Sequence, residues 1–295
     1  MKETGRRLSG GGAPAAPRPR LSEKRTAVGP LERDAIRDWF DRYIRTFTDG
    51  GGPDAGPMVL KRDHSLRVCE EIVGIGESLN LDGPQIRFAE TIALLHDIGR
   101  FEQYAVHRTF ADRKSVNHAE LGARILDRQN VLAQLDPGTA AEVRRAVACH
   151  NMAFLPEDLD SLGRMFCLML RDADKLDIWK VVTDYYGRTE GPADTTIELD
   201  LPDTPGVSEA VVRDLMEKRI VRSDHIRNLN DFKLLQVGWV YDIHFTVTAE
   251  RLRERGFLEK IRAVLPESPT VEAVFRAVAD HLNASHNGPE GWLQG

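Results

Sequence analysis

The chain has 295 residues, with 41% hydrophobic and 29% charged side chains, enough apolar material for a packed core and the surface of a water-soluble body. Residues 1–30 hold seven basic side chains against two acidic ones, so a net charge of -6 leaves about -11 on the rest, which disfavours nucleic acid as a partner because that contact relies on basic surface. No apolar run approaches the roughly 18 residues of a membrane span, no apolar leader opens the chain, and three cysteines without a CxxC spacing fit buried free thiols and a cytoplasmic location.

Residues 1–29, rich in Gly, Pro and Arg, read as a disordered basic tail, with 1–28 dispensable. In 31–48, Ile36, Phe40, Tyr43, Ile44 and Phe47 recur at helical spacing. Four glycines between 50 and 56 break the pattern, and a second amphipathic helix, 58–79, carries His64. After Asp82-Gly83-Pro84, a helix over 84–97 ends at His96-Asp97-Ile98-Gly99, where Gly99 suits a left-handed cap. Residues 100–114 read as a polar connection. Helix 116–129 carries His118 near its start, and helix 139–150 ends on His150. Ser161 is placed to cap a long helix to about Tyr186. Residues 187–206 read as an excursion, and helices are expected at 208–220, 229–246, 249–264 and 270–284. The expectation is all-α: one helical domain over 30–285, followed by a disordered tail, 286–295.

The chemistry begins with residues that do not belong in apolar helices. His96 and Asp97 end the run FAETIALL, and two buried ionisable groups need partners. A divalent cation is one such partner: imidazole with carboxylate suits Mn²⁺, Fe²⁺, Co²⁺, Ni²⁺ or Zn²⁺, while Mg²⁺ prefers oxygen. In LMLRDADKLDIW, Asp174 and Asp177 share a helix face and Asp172 points elsewhere. Salt bridges to Arg171 and Lys175 would explain these acids as well as a metal would.

Taken in order, His64 in DHSLRV, His96-Asp97 in ALLHDIGRFEQ and Asp174 in RDADKLD resemble the HD superfamily, over about residues 58–186. That resemblance implies a helical bundle with its metal site among the central helices, the C-terminal helices 208–285 lying outside the motif core. It implies His64, His96, Asp97 and Asp174 as ligands. His118 in SVNHAELG and His150 in AVACHN fall where two-metal members place further histidines, so a second ion would share Asp97 with them. Many two-metal members carry a His-His pair at the later position, whereas Asn151 follows His150 here.

The implied activity is hydrolysis of a phosphomonoester or phosphodiester, nucleotides included, by a metal-activated water, with one or two divalent ions as cofactor and a small phosphorylated molecule as partner. Among the neighbouring cations Arg100, Arg108, Arg113, Lys114 and Lys175, the two closest in sequence to ligands, Arg100 and Lys175, are the first candidates for substrate phosphate, with Asp97 at the reacting centre. Glu102, Asp112 and Asp177 are candidates to orient ligands. Two rivals use the same residues: a di-iron oxygenase of the same fold, and a non-catalytic signalling module that binds a nucleotide or partner protein.

Overall fold

The computed structural model describes residues 26–49, 55–188 and 194–285, so the expected disorder of 1–25 and of 286–295 lies outside the described residues. Among those described, all regular structure is helical. The helices are α1 (Pro30–Thr48), α2 (Ala55–Ser78), α3 (Gly83–Leu95), α4 (Gly99–His107), α5 (His118–Arg128), α6 (Pro137–Cys149) and α7 (Ser161–Tyr186). They continue as α8 (Thr195–Glu198), α9 (Glu209–Met216), α10 (Leu229–Gly238), α11 (Thr246–Glu254), α12 (Phe257–Ala263) and α13 (Pro269–Ser285).

Local chemistry sets the starts of the helices near the site. Asp82 and Gln85 form a reciprocal capping box on α3, with Pro84 in the first turn. Asn117 caps α5, Asp136 caps α6, and Asp160, not Ser161, caps α7 by accepting from the Gly163 amide.

The apolar side chains gather into two buried clusters. The first runs from Val28 through Ala173 and also takes Phe245; in it Phe88 and Phe166 meet with ring centroids 4.6 Å apart. The second begins at Leu176 and Trp179 and is completed by α9 to α13, ending at Leu282. α7 belongs to both: its N-terminal half packs with α2, α3 and α6, and its C-terminal half with α12. Where the two clusters meet, Asp242 pairs with Arg171 and Lys175, each at 2.6 Å. Buried Asp172 accepts from the backbone amides of His244 and Phe245, tying α7 to the start of α11.

Several expectations change. The ordered body begins before residue 30: Val28 is fully buried, its amide donates to the Pro84 carbonyl and its carbonyl accepts from Arg87. Residues 99–107, most of them in the expected polar connection, are α4, an amphipathic helix that buries Phe101 and Gln103. The run expected as one helix over 229–246 is α10 plus a 3-10 turn, Trp239–Asp242, and the stretch 249–264 is split at Gly256, whose φ is +61°. Gly99 is not a left-handed cap. The chain passes from α3 to α4 through right-handed residues, with His96 at φ -56° and Ile98 at φ -58°. The glycine serves close packing instead: a Cβ there would lie 2.1 Å from the His118 carbonyl oxygen and 2.7 Å from the Gly122 amide. That contact seats α4 on the turn of α5 that carries His118.

Candidate metal centre

Four helices and one turn bring the polar residues together. His64 comes from the middle of α2, Asp174 from the middle of α7, and His96 and Asp97 from the turn between α3 and α4. His118 opens α5 and His150 closes α6. All four imidazoles and Asp97 are buried, while the Asp174 side chain keeps 23% exposure and so faces an opening.

Each imidazole is oriented by what its Nδ1 holds. His64 Nδ1 lies 2.6 Å from Asp177 Oδ2, and His118 Nδ1 2.7 Å from Asp112 Oδ2. His96 Nδ1 lies 2.7 Å from the Ala93 carbonyl and His150 Nδ1 2.8 Å from the Val147 carbonyl, one helical turn back in each case. An acceptor at Nδ1 places the proton there and leaves the Nε2 lone pair facing inward, the arrangement that readies a histidine for a metal. The Nε2 atoms of His64 and His96 are buried without a hydrogen-bond partner, and those of His118 and His150 face each other at 3.0 Å.

The carboxylate of Asp97 divides these nitrogens into two sets. Its Oδ2 faces His64 Nε2 at 3.5 Å and His96 Nε2 at 3.6 Å; its Oδ1 faces His118 Nε2 at 3.3 Å and His150 Nε2 at 3.8 Å. Asp174 Oδ1 completes the first set, 3.1 Å from His64 Nε2 and 3.7 Å from His96 Nε2. His64, His96 and Asp174, and separately His96, Asp97 and His150, present ligand atoms close enough to share an ion. Converging lone pairs and carboxylates left unsatisfied inside a protein are costly, and a divalent cation would satisfy them; the donor set therefore fits such an ion.

The electrostatics favour the neutral ring at His96, His118 and His150 but not at His64. Burial pushes the His118 and His150 imidazoles down to about 4, helped by Arg100 at the first and by His96 at the second, so both are neutral at pH 7. Burial also lowers His96. Burial and Lys61 push His64 down too, but the carboxylates of Asp174 and Asp177 outweigh them and its pKa lies above the ordinary value. Burial alone would raise the Asp97 carboxyl, but Lys61, His96, Arg100 and His118 hold it well below the usual carboxylate range. Asp174 is held low against its burial by His64 and His96.

The structure thus brings together His64, His96, Asp97, His118, His150 and Asp174. Arg100 joins them, its Nε 3.5 Å from Asp97 Oδ1 and its Nη1 2.9 Å from Asp112 Oδ1. Lys175 does not: its ammonium is engaged by Asp242 and by the Arg171 carbonyl, because one residue along a helix turns it away from the Asp174 direction. Asp112 and Asp177 hold histidines as expected, whereas Glu102 pairs with Arg128 at the surface. Lys114 pairs with Asp200, and Arg113 is exposed.

Four further residues support the cluster without having stood out in the sequence. Lys61 Nζ lies 2.7 Å from Asp97 Oδ2. Arg67 grips Asp177, with Nε 2.5 Å from its Oδ1. Both stand one helical turn from His64, and that spacing was the available signal. Buried Gln103 and the side chain of Asn151 donate to Asp112 at 2.9 and 3.2 Å. Nothing in a sequence points to these two, since their roles depend on a loop folding back over α4.

The HD domain family model matches residues 62–179, a stretch that contains every one of the clustered histidines and aspartates. By this match residues 62–179, about two fifths of the chain, resemble an HD domain. No curated protein and no solved structure matches the chain. Members of this superfamily are typically metal-dependent phosphohydrolases. Among the described residues no helix is long and apolar enough to cross a membrane.

Proposed function

We propose that the chain is a phosphohydrolase acting on a small phosphomonoester or phosphodiester, with two divalent ions held by His64, His96, Asp97 and Asp174 on one side and by Asp97, His118 and His150 on the other. The observation that carries this reading is the split of four inward-facing Nε2 atoms between the two oxygens of Asp97. Ions in such a site supply a water of lowered pKa and polarise the phosphoryl oxygens.

The chain's own residues do the rest. Asp177 and Asp112 keep His64 and His118 in the Nδ1-protonated form and fix their rings. Asp97, the shared anion, sets the relation between the two halves. The partly exposed Asp174 marks the side from which a substrate enters. Arg100 holds positive charge next to Asp97 at the edge of the cluster, where it would meet phosphate. α7 contributes to both apolar clusters, which favours residues 26–285 acting as one unit.

A panel of nucleotides, sugar phosphates and phosphodiesters, assayed with Mn²⁺, tests the proposal. Release of phosphate or alcohol that needs the added ion and vanishes in Asp97→Asn is the expected result. Binding of nucleotides without turnover, with the metal retained, would favour the signalling module instead.

A further inference from the structure

Two cations flank Asp97, and they are not equivalent. Arg100 is pinned: its Nη1 donates to Gln103 Oε1, to the Phe110 carbonyl and to Asp112 Oδ1, at 2.9, 2.5 and 2.9 Å. Lys61 is not. Among the described residues Asp97 Oδ2 is the one acceptor its ammonium holds, at 2.7 Å. Its side chain is 17% exposed where that of Asp97 is 4%, so a flexible stem leads from solvent to the buried carboxylate. Both cations lie against the Phe110 ring, 5.5 and 5.9 Å from its centroid.

The oxygen that Lys61 holds is the one facing His64 and His96. An ion bound to those histidines and to Asp97 would compete for that oxygen with the ammonium. In a buried, weakly screened site a dication and an ammonium cannot share one carboxylate oxygen without strong repulsion. The cation with fewer other partners gives way, and of the two that is Lys61.

We propose that Lys61 stands in for the metal's charge at Asp97 when no ion is bound, and that it is displaced on metal binding to become a ligand of the substrate's phosphoryl oxygens. This rests on the metal-dependent phosphohydrolase reading above and assigns to it a phosphate-binding residue that the motif does not contain. A displaced lysine has the right chemistry for phosphate. It is a compact charge with three rotatable donors, held near the ion by its own helix and, among the described residues, engaged by no second anion.

The experiment uses the full chain and two probes, Mn²⁺ alone and inorganic phosphate added to the Mn²⁺-loaded protein. In Lys61→Met the competitor is gone, so Mn²⁺, followed by its free-ion EPR signal, should bind several-fold more tightly than to wild type. Phosphate binding by calorimetry should weaken roughly tenfold or more, the size expected for losing one charge-assisted hydrogen bond. Lys61→Arg, which keeps the charge, should recover part of the phosphate affinity.

A second measurement needs no variant. The rate at which an amine-reactive reagent labels Lys61, read by peptide mass spectrometry, should rise when Mn²⁺ is added and fall again with phosphate. Equal or weaker Mn²⁺ binding by Lys61→Met, unchanged phosphate affinity, or labelling that does not rise with Mn²⁺ would each overturn the inference while leaving the metal site itself intact. A wild-type chain that binds no Mn²⁺ would overturn the underlying reading, and this inference with it.

Discussion

The two halves of the cluster are built differently, although they share Asp97. The His64 side has two carboxylates, Asp97 and Asp174, facing two histidines, all presented by the interior of α2 and α7 and by the turn between α3 and α4. On the His118 side, among the described residues, only Asp97 faces the Nε2 atoms of the two histidines, and both histidines sit at helix ends. The first side therefore offers two negative charges to a dication and the second offers one. Both sides lie against the same apolar cluster, but the second also depends on Asp112, which a 3-10 turn supplies. On the proposed two-ion reading the first ion would bind to the doubly anionic side, and the second ion's affinity would depend on the loop that carries Asp112.

The largest expected effect comes from exchanging one proposed ligand on each side. Asp174→Asn removes charge from the first side and is expected to lower Mn²⁺ affinity and Mn²⁺-dependent hydrolysis by roughly a hundredfold or more, beyond what loss of an orienting partner usually causes. His118→Gln should cost one ion and keep the other. Equal losses from the two variants, measured by metal analysis and turnover, would mean that the halves are equivalent.

The next effect concerns the residues behind the histidines. Asp177→Asn and Asp112→Asn should each weaken metal binding about ten- to a hundredfold, the first acting on the His64 side and the second on the His118 side. Gly99→Ala should act mainly on the second side. Its new methyl group presses on the backbone of α5 at His118, so the second ion should be lost while the first remains. Titration with Mn²⁺ that still shows two sites in Gly99→Ala would break the assignment of that glycine.

The pH response separates the halves by sign. His118 and His150 have folded-state values near 4, below the roughly 6.5 of an unfolded histidine, so the unfolded chain takes up protons first. Their contribution to the stability of the metal-free protein is present above about 6.5 and is lost as pH falls towards 4, and buried His96 acts in the same direction. His64 is raised and works oppositely: its contribution is full below about 6.5 and is lost as pH rises through its folded value. Urea denaturation of metal-free protein at pH 7 and pH 5 should show a net loss at pH 5, reduced in His118→Gln. A stability that rises on acidification would contradict the neutral state of the second pair.

The smallest effect lies far from the site. Val28 is fully buried, so Val28→Ala should cost about 1 to 2 kcal/mol in thermal or chemical unfolding and leave Mn²⁺ binding unchanged.

How far the sequence foretold this centre can be seen residue by residue. His96, Asp97 and Asp174 stood out because they interrupt apolar helices, and their order with His64 carried the family resemblance. His118 and His150 were legible only through that resemblance, since a histidine at a helix end has ordinary explanations of its own. Lys175 and Arg100 were both close to ligands in sequence, yet only Arg100 reaches the cluster. Adjacency along a helix rotates a side chain by about 100°, while three residues return it to nearly the same face, and Lys61 and Arg67 gain their places by that second rule. Gly99 misled for a different reason. A glycine after an apolar helix reads as a cap, but the demand on it comes from α5, a non-local contact that no window of sequence contains.

On the proposed reading one carboxylate, Asp97, holds two ions. Elemental analysis of Mn²⁺ per chain, on wild type, His150→Gln and Asp97→Asn equilibrated under one condition and checked for intact helical content, tests it most directly. Two ions are expected in wild type, one in His150→Gln, and fewer than one in Asp97→Asn, because the shared anion would serve both sides. Full metal content in Asp97→Asn would contradict it.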